Sequence, residues 1–177
     1  WDRHARKGTD GRPRMTLLQQ LDHMRKLTRQ LAVSGPRVVY NKSGTLISAA
    51  SLLDRSIIVD HKAYVAECRH ENEAAYLLVV LNAEVTLELV APMQTRGSIG
   101  RRDFDMLVWE LPIPEFDPEN GLHREIAALG AECERTAALV VLPDGDPRRK
   151  RRAIREALAD AGLAARAEAL VARLLGA

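Results

Sequence analysis

The stretch from residue 71 to residue 90, ENEAAYLLVVLNAEVTLELV, decides the fold class of this chain. Apolar residues recur along one side of it at helical spacing: Ala74, Leu77, Leu78, Leu81 and Val85. The spacing predicts a helix with an interruption at Asn82, and Pro92 ends it. A helix with one apolar side has to bury that side against another element.

Four short runs rich in β-branched and aromatic residues precede this helix. They are RVVYN at 37–41, TLISA at 45–49, SIIVD at 56–60 and AYVAEC at 63–68. Such runs predict strands of a small, mainly antiparallel sheet. The segment Lys42-Ser43-Gly44 has the composition of a hairpin turn between the first two runs.

A second helical pattern begins before the strands. Leucines and a methionine recur every three or four positions: Leu17, Leu21, Met24, Leu27 and Leu31. Thr16 followed by Gln19 is typical of a capping box, so we expect one helix over 15–32, ending before Ser34-Gly35-Pro36.

Proline positions organise the second half of the chain. Pro112 and Pro114 predict extended backbone, and Asp117-Pro118 predicts the start of a helix. That helix would direct these residues inward: Leu122, Ile126, Leu129 and Cys133. Asp146-Pro147 repeats the start signal, and Gly162 divides two further helices, at 147–160 and 163–175.

Together these patterns predict an α+β fold, in which a small, mainly antiparallel sheet packs with helices and a C-terminal helical segment follows. We expect three parts: a linker at 1–14, a domain at 15–140 and a C-terminal helical appendage at 141–177. Because the chain begins with Trp1, we also expect it to be a piece of a longer protein.

Composition narrows the class of protein. The 177 residues are 46% hydrophobic and 28% charged, which is typical of one globular domain. No apolar run approaches the ~20 residues of a membrane span. Cys68 and Cys133 have no paired spacing, which favours a reducing compartment. We therefore expect a cytoplasmic protein with no membrane partner.

Charge is unevenly distributed along the chain. Residues 1–42 carry 10 Lys and Arg against 3 Asp and Glu, residues 43–146 carry 8 against 18, and residues 147–177 carry 8 against 3. The net charge of +2 therefore hides two basic ends around an acidic middle. This pattern favours a local basic patch for a polyanion over a broad basic surface.

Catalytic and metal motifs are sparse. Asp60-His61 could be half of a triad, but no serine or cysteine has a nucleophile context, so a strand-end histidine is favoured. Cys68 with His70, and His123 with Cys133, lack the spacing of structural zinc sites. We expect no catalytic residue and no metal.

Polar and basic residues in turns and on one helix say more about function than the catalytic and metal motifs do. The predicted hairpin carries Asn41, Lys42 and Ser43. The stretch MQTRGSIGRRDFD at 93–105 contains two glycines and predicts an exposed loop, called here the glycine loop. It carries Gln94, Thr95, Arg96, Ser98, Arg101 and Arg102. The helix at 147–160 would place four arginines on one face: Arg148, Arg151, Arg152 and Arg155. Arginine forks onto guanine or phosphate, and asparagine and glutamine pair with adenine. A DNA contact and an ordinary solvated surface both explain these residues.

A family resemblance adds to this pattern. The stretches VVYNKSGTLISAA, IIVDHKAYVAECRHENEAAYLLVVLNAE and QTRGSIGRRDFDMLVWELPIPEFDPENGLHREIAALGAE occur in that order. They resemble the C-terminal, TaqI-like target-recognition region of adenine-specific DNA methyltransferases of restriction-modification systems. The resemblance covers roughly residues 15–140. Similar "LPIP" segments before a long helix occur in type I specificity subunits.

The resemblance implies recognition without catalysis. Such methyltransferases hold the flipped adenine with an (Asn/Asp/Ser)-Pro-Pro-(Tyr/Phe/Trp) motif, and this chain has no Pro-Pro pair. We expect no cofactor here and expect S-adenosylmethionine in a catalytic domain upstream of Trp1. The implied partners are double-stranded DNA, that upstream domain, and a nuclease or second subunit.

Within the resemblance, one set of residues is expected to face DNA: Lys42, Ser43, Gln94, Thr95, Arg96, Arg101 and Arg102. Gly97 and Gly100 would allow close backbone approach. An alternative is a helical protein-interaction module that uses helices 15–32, 118–138 and 147–175 to dock a methyltransferase or nuclease partner without reading DNA. A free-standing hydrolase using His61 is a third hypothesis.

Overall fold

The computed structural model of the chain describes residue 1 and residues 3–94, 103–104 and 106–177. Within these ranges it contains a three-stranded antiparallel sheet and seven α-helices, which confirms the predicted α+β class. The strands are β1 (Arg37–Asn41), β2 (Ala49–Leu52) and β3 (Ala63–Glu67). The helices are α1 (Leu17–Leu21), α2 (Thr28–Leu31), α3 (Glu71–Asn82), α4 (Glu84–Val90), α5 (Gly121–Ala138), α6 (Pro147–Asp160) and α7 (Leu163–Leu175). Short 3₁₀ turns lie at His23–Arg25 and Leu107–Glu110.

The sheet has the order β2-β1-β3, with β1 in the centre. Tyr40 of β1 lies opposite Ala49 of β2 and Tyr64 of β3. The predicted strand at 45–49 begins four residues later, at Ala49. The predicted strand at 56–60 is wrong, because a side chain takes the place of a partner strand there. The amide of Gln30 donates to Val59 O at 3.0 Å and accepts from Val59 N at 2.8 Å.

The helix predicted over 71–90 is two helices. The chain is extended at Ala83, where ψ is 141°, so the interruption predicted at Asn82 falls one residue later. The Asn82 Nδ2 group donates to Leu78 O of α3 at 2.8 Å. The same amide also pairs with β2, donating to Ala49 O and accepting from Ala49 N, both at 3.0 Å. The strand edge and the helix break are therefore stabilised by the same side chain.

The single helix predicted over 15–32 is wrong. The capping box of Thr16 and Gln19 forms as expected, but the helix ends at Leu21. Met24 and Arg25 have positive φ values of 58° and 59°, which an α-helix cannot accommodate. Five apolar side chains of this segment are exposed: Leu17, Leu18, Leu21, Met24 and Leu31. Because no described surface covers these side chains, their burial does not stabilise one continuous helix.

The C-terminal helix boundaries follow the sequence signals closely. Asp146 caps α6 and Pro147 is its first residue, while Gly162, at φ 72°, separates α6 from α7. The start of α5 is the exception. Asn120, not Asp117, accepts the first free N–H groups of that helix, so α5 begins at Gly121.

Two hydrophobic clusters form the core. The first joins α3, α5 and α7 through buried residues that include Tyr76, Val80, Ile126, Leu129, Leu163 and Val171. The second joins the sheet to α4 and the 3₁₀ turn at 107–110 through Val38, Tyr40, Leu81, Val90, Phe104 and Val108. The division at residue 140 stays a prediction, and α7 contributes directly to the first cluster. Among the described residues, no helix is long and apolar enough to cross a membrane.

Candidate nucleic-acid interface

The connection between β1 and β2, residues 42–48, is organised by Asn41. The Asn41 Nδ2 group donates to Ser43 O at 2.9 Å and to Leu46 O at 3.0 Å, and its Oδ1 accepts from Ser48 N at 2.7 Å. We call residues 42–48 the hairpin loop. Lys42 and Ser43 are exposed on it. The amide of Asn41 is thus engaged on both its donor and acceptor sides by the loop itself.

Residues Asp103 and Phe104 attach to the hairpin loop. Ser43 and Asp103 form an antiparallel bridge, and Phe104 N donates to Lys42 O at 2.9 Å. The Phe104 ring is buried in the second cluster, which anchors this attachment. The hairpin loop and the end of the predicted glycine loop are therefore neighbours in space, although about sixty residues separate them in sequence.

Gln94 ties the start of the glycine loop to the same place. Its Nε2 donates to Asp103 O at 3.0 Å, and its residue exposure is 7%. We call Asn41, the hairpin loop, Gln94, Asp103 and Phe104 the hairpin edge. The other glycine-loop residues predicted to contact DNA lie outside the described residues: Thr95, Arg96, Gly97, Ser98, Gly100, Arg101 and Arg102.

An aromatic group supports the hairpin edge and was not expected from the sequence. The Tyr40 and Tyr64 rings stack with centroids 5.4 Å apart, and Trp109 Nε1 donates to the Tyr40 hydroxyl at 3.0 Å. The Lys42 ammonium lies 5.5 Å from the centroid of the Tyr64 ring, a cation–π distance. The one sequence signal for this stacking was the presence of Tyr40 and Tyr64 in two of the predicted strands. The sequence did not indicate that these strands pair or in which register.

The basic face of α6 forms as predicted. Arg148, Arg151, Arg152 and Arg155 are all exposed, and their spacing places them within one side of the helix. Arg152 Nε donates to Glu156 Oε1 at 2.7 Å, and this hydrogen bond raises the pKa of the guanidinium. One of the four charges is thus already paired with a carboxylate.

The structure brings together only part of the predicted site. Lys42, Ser43, Asn41 and Gln94 lie in one place, the hairpin edge. By contrast, α6 packs against α5 and α7 and contributes Leu158 to the first cluster. The hairpin edge contributes Phe104 to the second cluster. The two candidate DNA-contacting surfaces therefore belong to different halves of the core.

The residues considered for catalysis or metal binding differ in exposure and in hydrogen-bond partners. His61 Nδ1 lies 2.6 Å from Asp60 Oδ1, and both side chains are more than 60% exposed. His70 caps α3, and buried His123 accepts from Asp117 N. Burial raises the pKa of the Cys68 thiol to about 11. Within the described part of the chain, no three metal-ligating side chains gather.

The "LPIP" segment is fixed to α3 and its flank. The Tyr76 hydroxyl donates to Pro114 O at 3.0 Å, and Arg69 Nη2 donates to Phe116 O at 3.2 Å. The Phe116 ring packs in the first cluster against Tyr76. The segment has no regular secondary structure, and Ile113 N donates to Leu111 O at 2.8 Å in a tight turn around Pro112, so the extended backbone expected there is not continuous. The segment joins the 3₁₀ turn to α5.

Comparisons of the chain with protein-family models, with curated proteins and with solved structures found no match.

Proposed function

We propose that this chain is a DNA target-recognition domain of a larger adenine-specific DNA methyltransferase. In this proposal it binds duplex DNA, while an upstream catalytic domain binds S-adenosylmethionine and holds the flipped base. An enzyme that modifies a base has to extrude it at the correct sequence, so groove reading by a separate surface is useful. The family resemblance and the chemistry of the hairpin edge support the proposal.

The single observation that carries it is the junction of Ser43 with Asp103. This bridge, with the hydrogen bond from Phe104 N to Lys42 O, brings two polar segments to one edge of the sheet. Lys42 would contact phosphate and Ser43 would hold the backbone, which are common roles of these side chains. Arg96, Arg101 and Arg102 lie outside the described residues, and in this proposal they contact the same duplex.

Salt-dependent DNA binding is the first test. Fluorescence anisotropy of a labelled duplex should show an affinity that falls steeply between about 50 mM and 200 mM salt, because phosphate contacts release counterions. Lys42→Ala should flatten the slope of log K against log salt by about 0.9.

A matched control tests whether that effect is local. Arg55 is an exposed cation at the opposite end of β1 and β2 from the hairpin loop, so Arg55→Ala should leave the slope unchanged. Binding that ignores salt, or no binding at low salt, would contradict the proposal. An equal effect of both variants would indicate non-specific attraction.

The parent enzyme allows a test of specificity. If Arg96 reads a base edge, Arg96→Ala should raise the free-energy barrier to methylation of the cognate duplex by about 1 to 3 kcal/mol. It should also relax the sequence preference at one position. Arg152→Ala should weaken binding to all sequences alike, as loss of a phosphate contact does. An unchanged preference in the Arg96 variant would remove that residue from the reading surface.

Protein docking is the second candidate function, and one observation favours it. Residues 17–31 expose Leu17, Leu18, Leu21, Met24 and Leu31. In the parent complex, Leu18→Ser with Leu21→Ser should weaken association with a catalytic or nuclease partner, measured by sedimentation, while leaving DNA affinity of this chain unchanged. Loss of DNA affinity instead would assign this segment to the DNA-binding surface.

A further inference from the structure

We propose that Asn41 and Gln94 are positioning residues, which hold the hairpin edge in shape for DNA without contacting a base. This inference rests on the proposed function and assigns a different role to two side chains that the sequence predicted as DNA contacts. It follows from where their amide groups are engaged.

Asn41 uses its amide inside the hairpin loop. Its two donor bonds and one acceptor bond hold the backbone at Ser43, Leu46 and Ser48. An asparagine that reads adenine needs both its donor and its acceptor for the base. Asn41 would have to break bonds at both ends of the loop to do so, and the loop that presents Lys42 would lose its supports.

Gln94 is engaged from the other segment through the donor group of its amide. Its Nε2 donates to Asp103 O, and the residue is almost fully buried. Asp103 in turn is bridged to Ser43. The two amides therefore hold one continuous arrangement, from the hairpin loop through Asp103 to Gln94 at the start of the glycine loop.

The functional consequence is preorganisation. A loop that already has its bound shape loses less conformational entropy on binding, so affinity increases without any additional contact. Removal of a positioning amide should therefore weaken binding to every duplex by a similar factor. Removal of a base-reading amide should instead change the preference at one base pair.

The test measures the 177-residue chain with a fluorescent duplex and with a pool of duplexes that have a randomised centre. Asn41→Ala and Gln94→Met each remove the hydrogen bonds without adding charge. We expect each to weaken binding about tenfold, to leave the salt slope unchanged and to leave the preferred sequences of the pool unchanged.

Asn120→Ala is the matched control, because Asn120 also holds backbone N–H groups with its amide oxygen but does so at the start of α5. It should lower thermal stability and bind DNA like the unaltered chain, at a temperature where all variants are folded. Hydrogen exchange should show faster exchange at Ser48 N in Asn41→Ala, whose acceptor has been removed. If Asn41→Ala does not fold, Gln94→Met carries the test.

Three outcomes would overturn the inference. Unchanged affinity of both variants would show that the amides serve only the fold, while the proposed function would stand. A changed preference at one base pair would make the altered residue a base-reading one. No salt-dependent binding by the unaltered chain would remove the proposed function, and the inference with it.

Discussion

The carboxylate of Glu168 in α7 accepts a hydrogen bond from the backbone N–H of Glu84 at 2.7 Å, and so caps the first turn of α4. Its second oxygen accepts from Val85 N at 3.1 Å. A carboxylate at this position satisfies free N–H groups and interacts favourably with the positive end of the helix dipole. The last helix of the chain thereby stabilises the start of a helix that lies 84 positions earlier.

Removal of this cap should cost measurable stability. Glu168→Ala should lower the free energy of unfolding by about 0.5 to 2 kcal/mol, the range for loss of an N-cap side chain. Glu168→Gln retains one oxygen acceptor and should cost less. Urea unfolding followed by circular dichroism measures both. An alanine variant as stable as the unaltered chain would show that solvent replaces the cap at no cost.

Deletion of residues 141–177 tests whether the predicted domain at 15–140 folds without α6 and α7. Leu163, Leu170 and Val171 are buried in the first cluster, and burial of each such side chain contributes about 1.5 to 3 kcal/mol. Their combined loss is comparable with the whole stability of a domain, about 5 to 15 kcal/mol. We expect the shortened chain to lose cooperative thermal unfolding. A sharp transition near that of the full chain would support a domain boundary at residue 140.

Gly130 permits the close approach of α5 to α3. A Cβ atom at this position would lie 2.2 Å from Ala75 O, which is backbone and cannot rotate away. Gly130→Ala should therefore destabilise the fold by about 1 to 3 kcal/mol, the range for overpacking.

Gly121 of the same helix provides the control, because nothing lies within 4 Å of the Cβ it would gain. Gly121→Ala should be neutral or stabilising by up to about 1 kcal/mol. Thermal melting compares the pair. Equal effects of the two substitutions would show that the α3–α5 contact adjusts freely.

Glu73 should contribute to acid sensitivity. Burial acts to raise its pKa, but hydrogen bonds and the charge of Arg69 outweigh burial, so the pKa lies below its ordinary value of 4.5. A carboxyl whose folded pKa is lowered contributes stability at pH values above 4.5, and this contribution is lost as the pH falls through the folded value. Between neutral pH and the acid range, Glu73→Gln should therefore lose less stability than the unaltered chain.

Urea unfolding at several pH values measures this difference. Glu119→Gln, at an exposed carboxyl before α5, is the control and should retain the acid dependence. Parallel curves of unfolding free energy against pH for the unaltered chain and the Glu73 variant would show that the ion pair with Arg69 does not contribute to stability.

The basic face of α6 can be tested separately for a role in DNA binding. Glu156 pairs with Arg152, so Glu156→Gln releases a cation and removes a nearby negative charge. If this face contacts phosphates, the affinity should rise and the salt slope should steepen by about 0.9. Glu88→Gln, an exposed change on α4, controls for net charge. Equal gains in both variants would mean that α6 has no special role.

The sequence predicted those elements whose signals are local and whose context agrees with them. Asp146-Pro147 and Gly162 define α6 and α7 because a cap, a proline and a left-handed glycine act within a few residues. The helix over 15–32 failed although its capping box formed, because periodicity requires a surface to bury against.

For the candidate site, the sequence predicted which polar residues are present but not which hydrogen bonds they make. The polar character of Asn41 and Gln94 was visible, but their engagement depends on Asp103 and Leu46, and such pairings follow from tertiary contacts. The stacking of Tyr40 on Tyr64 required the strand register, which alternation alone does not fix.

The Asn82 amide has a consequence for how copies of this chain can meet. It occupies both the N–H and the C=O of Ala49, which point away from β1 and would otherwise receive another strand. Exposed strand edges are templates for aggregation and for domain swapping. A side chain that imitates a strand therefore removes the template at Ala49 of β2.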